Sequence, residues 1–267
     1  MLSDVIIIIN EQENNRYIFR KRRGRKNNGS FESCSSAYKS GKKVTIVDCN
    51  LTASHLNFHF NFHLTPLTLN QVLKGEADIE DALYKFEDVN ILPASLDPYE
   101  IVGIDISKLS KILKKHAKLQ DYIILDTAPG FGREALEVME ICDKAIIVST
   151  PDIQAITDII RGKRILEDSG VKVLGIVLNK VTGKKFEFTK KEVEALTDLP
   201  VLTEIPFSYK FLESLALRIP LVLYHEKSIP SLKFYKLASH ITQEKILPKL
   251  GIGDKIKLLL SLKFKRI

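Results

Sequence analysis

The chain has 267 residues, 45% of them hydrophobic, which is enough to bury the core of one large α/β domain. Its three cysteines, Cys34, Cys49 and Cys142, lie far apart and form no C-x-x-C pair, excluding a disulfide framework and a thiolate metal site. The net charge of +7 is carried by the ends: seven basic residues fall between Arg16 and Lys26 and seven between Lys245 and Arg266. The body carries a modest acidic excess, so any anionic partner is a question about the two ends.

The first apolar run, Val5 to Ile9, is too short for a signal-peptide core or a bilayer span, and a cytosolic protein is expected. From Lys42 onward, β-rich apolar runs alternate with helical periodicity. Strands are predicted at Val44–Val47, Val89–Leu92, Tyr122–Leu125, Ala145–Val148, Val173–Leu178 and Val201–Glu204. Helices fit between them. Asp78 and Asp81 have the spacing of a capping pair, Ser107–Leu119 sets Leu109, Ile112 and Leu113 among lysines, and Thr157–Leu166 carries Ile159, Ile160, Ile165 and Leu166. Continuously apolar strands joined by helices imply a doubly wound, mostly parallel α/β sheet with helices on both faces.

In such a sheet ligands bind outside the carboxyl ends of the strands, so the residues just after each strand carry the chemistry. Asp126 in "YIILDTAPG" ends a buried strand, where an ionised carboxylate is costly unless a cation or hydrogen-bond donors satisfy it. Magnesium on a nucleotide phosphate is one solution; an N-cap or loop aspartate is the plain alternative. The small residues Thr127, Ala128, Pro129 and Gly130 allow close approach to a γ-phosphate. Asp48 holds the corresponding place on another strand, and two such carboxylates together point to a metal and phosphate site. Asn179 in "LNK" ends a further strand with an amide that matches the donor and acceptor edge of adenine, or simply makes a turn.

Taken in order and spacing, "SGKKVTIVDCNLT", "LNQVLKGEADIEDAL", "ILPAS", "YIILDTAPG", "AIIVSTPD" and "GIVLNKV" resemble the MinD/ParA group of P-loop ATPases, most of all archaeal MinD-type proteins, over roughly residues 40 to 245. The resemblance implies a domain over residues 1–250 that binds ATP and Mg2+, forms an ATP-dependent homodimer, and positions other cell components such as the division site through a protein partner. It makes Asp126 the Walker B aspartate, Asp48 the carboxylate beside magnesium, Asn179 the adenine reader and Pro206 part of the loop against the base. Iron–sulfur carriers of similar fold need cysteine pairs that this chain lacks.

The resemblance breaks where it matters most. The family's phosphate loop, K-G-G-V-G-K-T-T, corresponds here without a gap to Lys21, Arg22, Arg23, Gly24, Arg25, Lys26, Asn27 and Asn28. Both lysines persist, including Lys21, the one matched to catalysis. Three arginines replace positions suited to positive φ and close phosphate approach, and Asn27 and Asn28 replace the hydroxyls. Residues 29–40, which should form the first helix, have no apolar stripe. One hypothesis covers all of this: codons chosen for K-R-R-G-R-K-N-N-G-S give K-G-G-V-G-K-T-T-V-A when read one nucleotide later, and "FESCSSA" then yields an apolar helix. Compensating shifts near Asn14 and Tyr38 would restore the frame, and a diverged loop is the alternative. An arginine-rich nucleic-acid arm is a third reading, disfavoured by its place between two strands. Asn50 is a separate departure, standing where family members carry an aspartate that orients water; an amide does not accept a proton.

Residues 251–267 form the last predicted unit. Wound as a helix, "GDKIKLLLSLKFKRI" sets Ile256, Leu259, Leu260, Phe264 and Ile267 on one face, with Lys257, Lys265 and Arg266 off it. The tail is either a peripheral anchor on an anionic membrane surface or a helix docked on the body.

Overall fold

A computed structural model describes residues 4–9 and 43–248, apart from residues 53, 55, 61, 63–64, 118–119, 129, 131 and 247. Eight strands form one sheet: β1 (Asp4–Ile9), β2 (Val44–Cys49), β3 (Tyr84–Phe86), β4 (Val89–Leu92), β5 (Tyr122–Thr127), β6 (Lys144–Ser149), β7 (Lys172–Val181) and β8 (Val201–Pro206). Their spatial order is β3-β4-β2-β5-β1-β6-β7-β8. The helices are α1 (Leu56–His59), α2 (Leu69–Lys74), α3 (Lys108–Ala117), α4 (Arg133–Met139), α5 (Ile153–Asp168), α6 (Lys190–Thr197), α7 (Lys210–Leu217), α8 (Leu221–Tyr224) and α9 (Ile229–Thr242).

The strand alternation explains the layering. Val47, Ile123, Leu125, Ile147 and Leu178 face one core with Leu109, Leu113, Ile156 and Ile159 from α3 and α5. Ile46, Ile124, Ile146 and Val177, one residue out of step, face a second core with Leu56, Phe234 and Leu237. Both faces are therefore covered, as continuous apolar strands require. Each fully buried Leu or Ile contributes about 1.5–3 kcal/mol of transfer free energy, so the two cores together are the main source of stability.

Pairing is parallel between β2 and β4, β2 and β5, β6 and β7, and β7 and β8. The exceptions are the short edge hairpin β3–β4 and the central β1, which is antiparallel to both β5 and β6. Ile9 faces Ile123, so β1 ends at the amino end of β5, away from the strand ends bearing Asp48 and Asp126. Because β5 and β6 each pair with β1, this strand joins a β3-β4-β2-β5 block to a β6-β7-β8 block.

All six predicted strands are present, most running one to three residues further than their apolar cores, and α3 and α5 match the predicted helices. The expectation of a helix cap at Asp78 is corrected. Asp81 N–H donates to the Asp78 carbonyl at 3.2 Å in a turn and no helix follows. The capping box lies earlier, at α2, where the Thr68 hydroxyl accepts from Asn70 N and the Gln71 side chain accepts from Thr68 N at 2.9 Å.

Candidate functional site

The parallel register sets Asp48 directly opposite Asp126, and Cys49 opposite Thr127, at the carboxyl ends of β2 and β5. Asp48 is 1% exposed. One of its oxygens accepts the Asn50 backbone N–H at 3.0 Å and the other the Ser54 hydroxyl at 2.7 Å. These donors fix the carboxylate at the base of a short loop. Two carboxylates stand beside the Cys49 thiol. Burial pushes the Cys49 thiol well above its ordinary pKa, and the Asp48 and Asp126 carboxylates push it further. Such a position suits a divalent cation, and magnesium is usually held by one or two carboxylates together with substrate phosphates.

Asn50 is half-buried, its side-chain oxygen accepting the Thr52 hydroxyl at 3.2 Å. Ser54 is the supporting residue that sequence reasoning missed; its only signal is a hydroxyl six positions after Asp48 on a loop that must turn back.

Asn179 and Pro206 lie at the carboxyl ends of the neighbouring strands β7 and β8. The β7–β8 register slips between Leu178 and Val181, so Leu178 faces Glu204 and Val181 faces Pro206. Asn179 lies in that irregularity, its side-chain oxygen accepting Lys180 N–H at 2.8 Å, and Lys180 takes a left-handed backbone with φ 55°. From β5 to β7 is three inter-strand steps, about 14 Å. An elongated ligand is needed to touch both Asp126 and Asn179. The β6 end between them leads through Thr150 to Asp152, which caps α5 by accepting Ala155 N–H at 3.0 Å.

Lys21, Gly24, Lys26, Asn27 and Asn28 lie outside the described residues, as do Ile256, Leu259, Leu260 and Phe264. Cys49 and Cys142 are buried free thiols. Among the described residues, no three His, Cys, Asp or Glu side chains cluster to hold a metal, and no helix is long and apolar enough to cross a membrane.

Residues 104–242 match a ParA family model described as NUBPL iron-transfer P-loop NTPase. An uncharacterized ATP-binding protein of Methanocaldococcus jannaschii is 34% identical over 229 residues, covering 82% of this chain and 87% of the relative. Among solved structures, the Pyrococcus furiosus cell division ATPase MinD superposes with a TM-score of 0.73 at 31% identity, covering 76% of this chain and 86% of the other. The septum site-determining protein MinD of Pyrococcus horikoshii, complexed with Mg-ADP, gives 0.70 at 31% identity, covering 74% and 82%.

Proposed function

Since the chain belongs to the MinD/ParA family of P-loop ATPases, we propose that it descends from, and with an intact phosphate loop acts as, an ATP-dependent spatial regulator that positions the division site or a comparable structure. The observation that carries this reading is the in-register pair Asp48 and Asp126, with Asn179 three strands and Pro206 four strands from Asp126. Asp126 and Asp48 hold Mg2+, directly or through water, with Ser54 and the Asn50 backbone keeping Asp48 in place. Asn179 reads the base edge and Pro206 lies against the base. Lys21, Gly24 and Lys26 receive the phosphates, while Asn27 and Asn28 offer amides in place of hydroxyls. Bound magnesium neutralises charge on the phosphate oxygens. Asn50 orients water without accepting its proton, which makes hydrolysis slow.

ATP closes two copies into a homodimer, and the tail 251–267 of each copy then reaches an anionic membrane surface. One such helix binds marginally, whereas two on one body bind usefully by effective concentration. The partner that is positioned is a further protein.

A second reading has its own support. As written, the loop carries Arg22, Arg23 and Arg25, and β1 runs to the amino end of β5, opposite the strand ends bearing Asp48 and Asp126. Both features favour a nucleotide-free scaffold. Titration calorimetry separates the two readings. The chain as written binds Mg·ATP weakly or not at all, and replacing residues 21–38 with the shifted-frame sequence restores binding. Tight binding by the unaltered chain would refute the reading of the loop. No binding by the restored chain would refute the ATPase reading.

A further inference from the structure

Two turns project from the neighbouring ends of β7 and β8, and each presents aromatic side chains beside lysines. In the first, Glu187 N–H donates to the Lys184 carbonyl at 3.0 Å, closing a tight turn with Phe186 at its tip, 79% exposed. The turn is held from below. The Glu187 carboxylate accepts the Thr182 hydroxyl and the Gly183 N–H, both at 2.7 Å, and Phe188 N–H donates to the Pro151 carbonyl at 2.9 Å. Phe188 packs against the core while Phe186 points away from it.

The second turn follows Pro206. Phe207 N–H donates to the Val181 carbonyl at 2.9 Å, tying this turn to the β7 end. Phe207 and Tyr209 meet edge to face with ring centroids 5.3 Å apart, and Tyr209 is 71% exposed. Lys180, Lys184, Lys185 and Lys210 are exposed around these rings, and Lys184, Lys185 and Lys210 make no ion pair among the described residues. Among the described residues, the Phe186 and Tyr209 rings are left largely open to water at the two tips.

We propose that the Phe186 turn and the Phe207–Tyr209 turn form a contact surface for an anionic lipid bilayer, with the rings entering the interface and the lysines facing the headgroups. Aromatic rings at headgroup depth with flanking basic residues are the usual interfacial anchors. Two further observations favour a lipid surface over a single-stranded nucleic acid. The rings stand on projecting tips, whereas strand binding uses a positively charged groove that tracks a backbone. The course of the last described residues also bears on this surface. Thr203 donates to the Lys233 carbonyl at 3.5 Å and the rings of Phe211 and Phe234 meet at 6.0 Å, placing the first half of α9 at the carboxyl end of β8. After α9 the chain reverses at Gln243, and Ile246 returns to pack on Tyr235 and Ala238, with its N–H on the Ser239 hydroxyl at 2.9 Å. Residues 243–246 therefore run back along α9, toward the carboxyl end of β8. The surface deepens the membrane part of the proposed function, adding a contact made by the folded body.

The chain contains no tryptophan, so Phe186→Trp supplies a single reporter. In the full chain with the restored loop and ATP, its emission should shift to the blue with vesicles of phosphatidylcholine and phosphatidylglycerol. Brominated acyl chains should quench it, and vesicles of phosphatidylcholine alone should have little effect. Lys184→Ala with Lys185→Ala should lower the vesicle partition coefficient about 30-fold, from about 1 kcal/mol for each basic group. Co-sedimentation without shift or quenching overturns the body contact and leaves the tail reading standing. Shift and quenching that persist after deletion of residues 254–267 support the body contact and overturn the tail as the necessary anchor. Absence of sedimentation under all conditions overturns both. A shift with a single-stranded oligonucleotide and none with vesicles overturns the lipid assignment.

Discussion

Gly175 fixes where β7 sits between its neighbours, and Gly175→Ala tests how much the geometry of the base end depends on it. Its φ of +148° is strained for an L side chain, and a Cβ added there would stand 2.4 Å from the Pro200 carbonyl oxygen and 2.9 Å from Leu202 Cγ and Cδ2. The Leu202 side chain can move; the Pro200 backbone cannot move by about 1 Å without loosening the 2.9 Å bond from Ile176 N–H. Strained φ costs about 1–2 kcal/mol. Losing that hydrogen bond in a buried setting costs about 1–3 kcal/mol, so the total is about 2–5 kcal/mol. Gly183→Ala is the matched control, because Gly183 has φ +73° but open space around it, and it should lose only the conformational part of about 1–2 kcal/mol. Urea unfolding of both variants measures the difference, and thermal melts should show roughly 10 °C against about 4 °C. Equal losses for the two would mean that the contact with Pro200 is relieved at no cost. The β7–β8 register would then not be held at Gly175.

Resequencing the gene across codons 10 to 42 should reveal compensating frame changes near Asn14 and Tyr38; an uninterrupted frame encoding the residues as given would sink that explanation. In the chain with the restored loop, Asn50→Asp should raise the rate of phosphate release from ATP, and an unchanged rate would show that another group orients the water. In the same chain, Asp126→Ala should weaken nucleotide binding more in the presence of Mg2+ than in its absence, as titration calorimetry would show. His116 is 2% exposed with its Nε2 3.0 Å from the Thr45 hydroxyl, and burial lowers its pKa against a smaller opposing effect of Glu80. The unfolded chain therefore binds the proton first as pH falls below about 6.5, and stability declines by at most about 1.4 kcal/mol per pH unit on this account. His116→Gln should flatten that slope between pH 5 and 7 in paired urea titrations, roughly the window set by the ordinary histidine value; an unchanged slope would assign the dependence to other groups.

The strands were legible because six runs of Val, Ile and Leu are apolar on both faces, and only a strand buried on both sides needs that. Their ends were less so. Asp48 and Cys49, Asp126 and Thr127, and Asn179 to Val181 continue the ladders after the composition turns polar. A strand end that carries chemistry is, by composition, hard to tell from a loop. The carboxylate pair Asp78 and Asp81 fits a cap and a turn equally well, and the turn prevailed. The edge strand Tyr84–Phe86 is three residues long, too short for alternation to register. The direction of β1 has no signature either, since an unbroken isoleucine run reads the same from both ends. Of the candidate site, Asp48, Asp126 and Asn179 were singled out because each sits just after an apolar run, and Pro206 through the family resemblance. Ser54 was not, because a loop serine supporting a carboxylate looks like any other loop serine.

The sheet has a seam. Among the described residues no ladder pairs β5 with β6 directly, so the strands bearing Asp48 and Asp126 and those bearing Asn179 and Pro206 are hydrogen-bonded into one sheet through the six residues of β1. The backbone amides of β5 and β6 that face this strand would then exchange with solvent together whenever it detached. A rod-shaped molecule laid from Asp126 to Asn179 would bridge the seam from above. It would act as a splint, slowing that exchange on both sides while leaving the outer strands β3 and β8 unchanged.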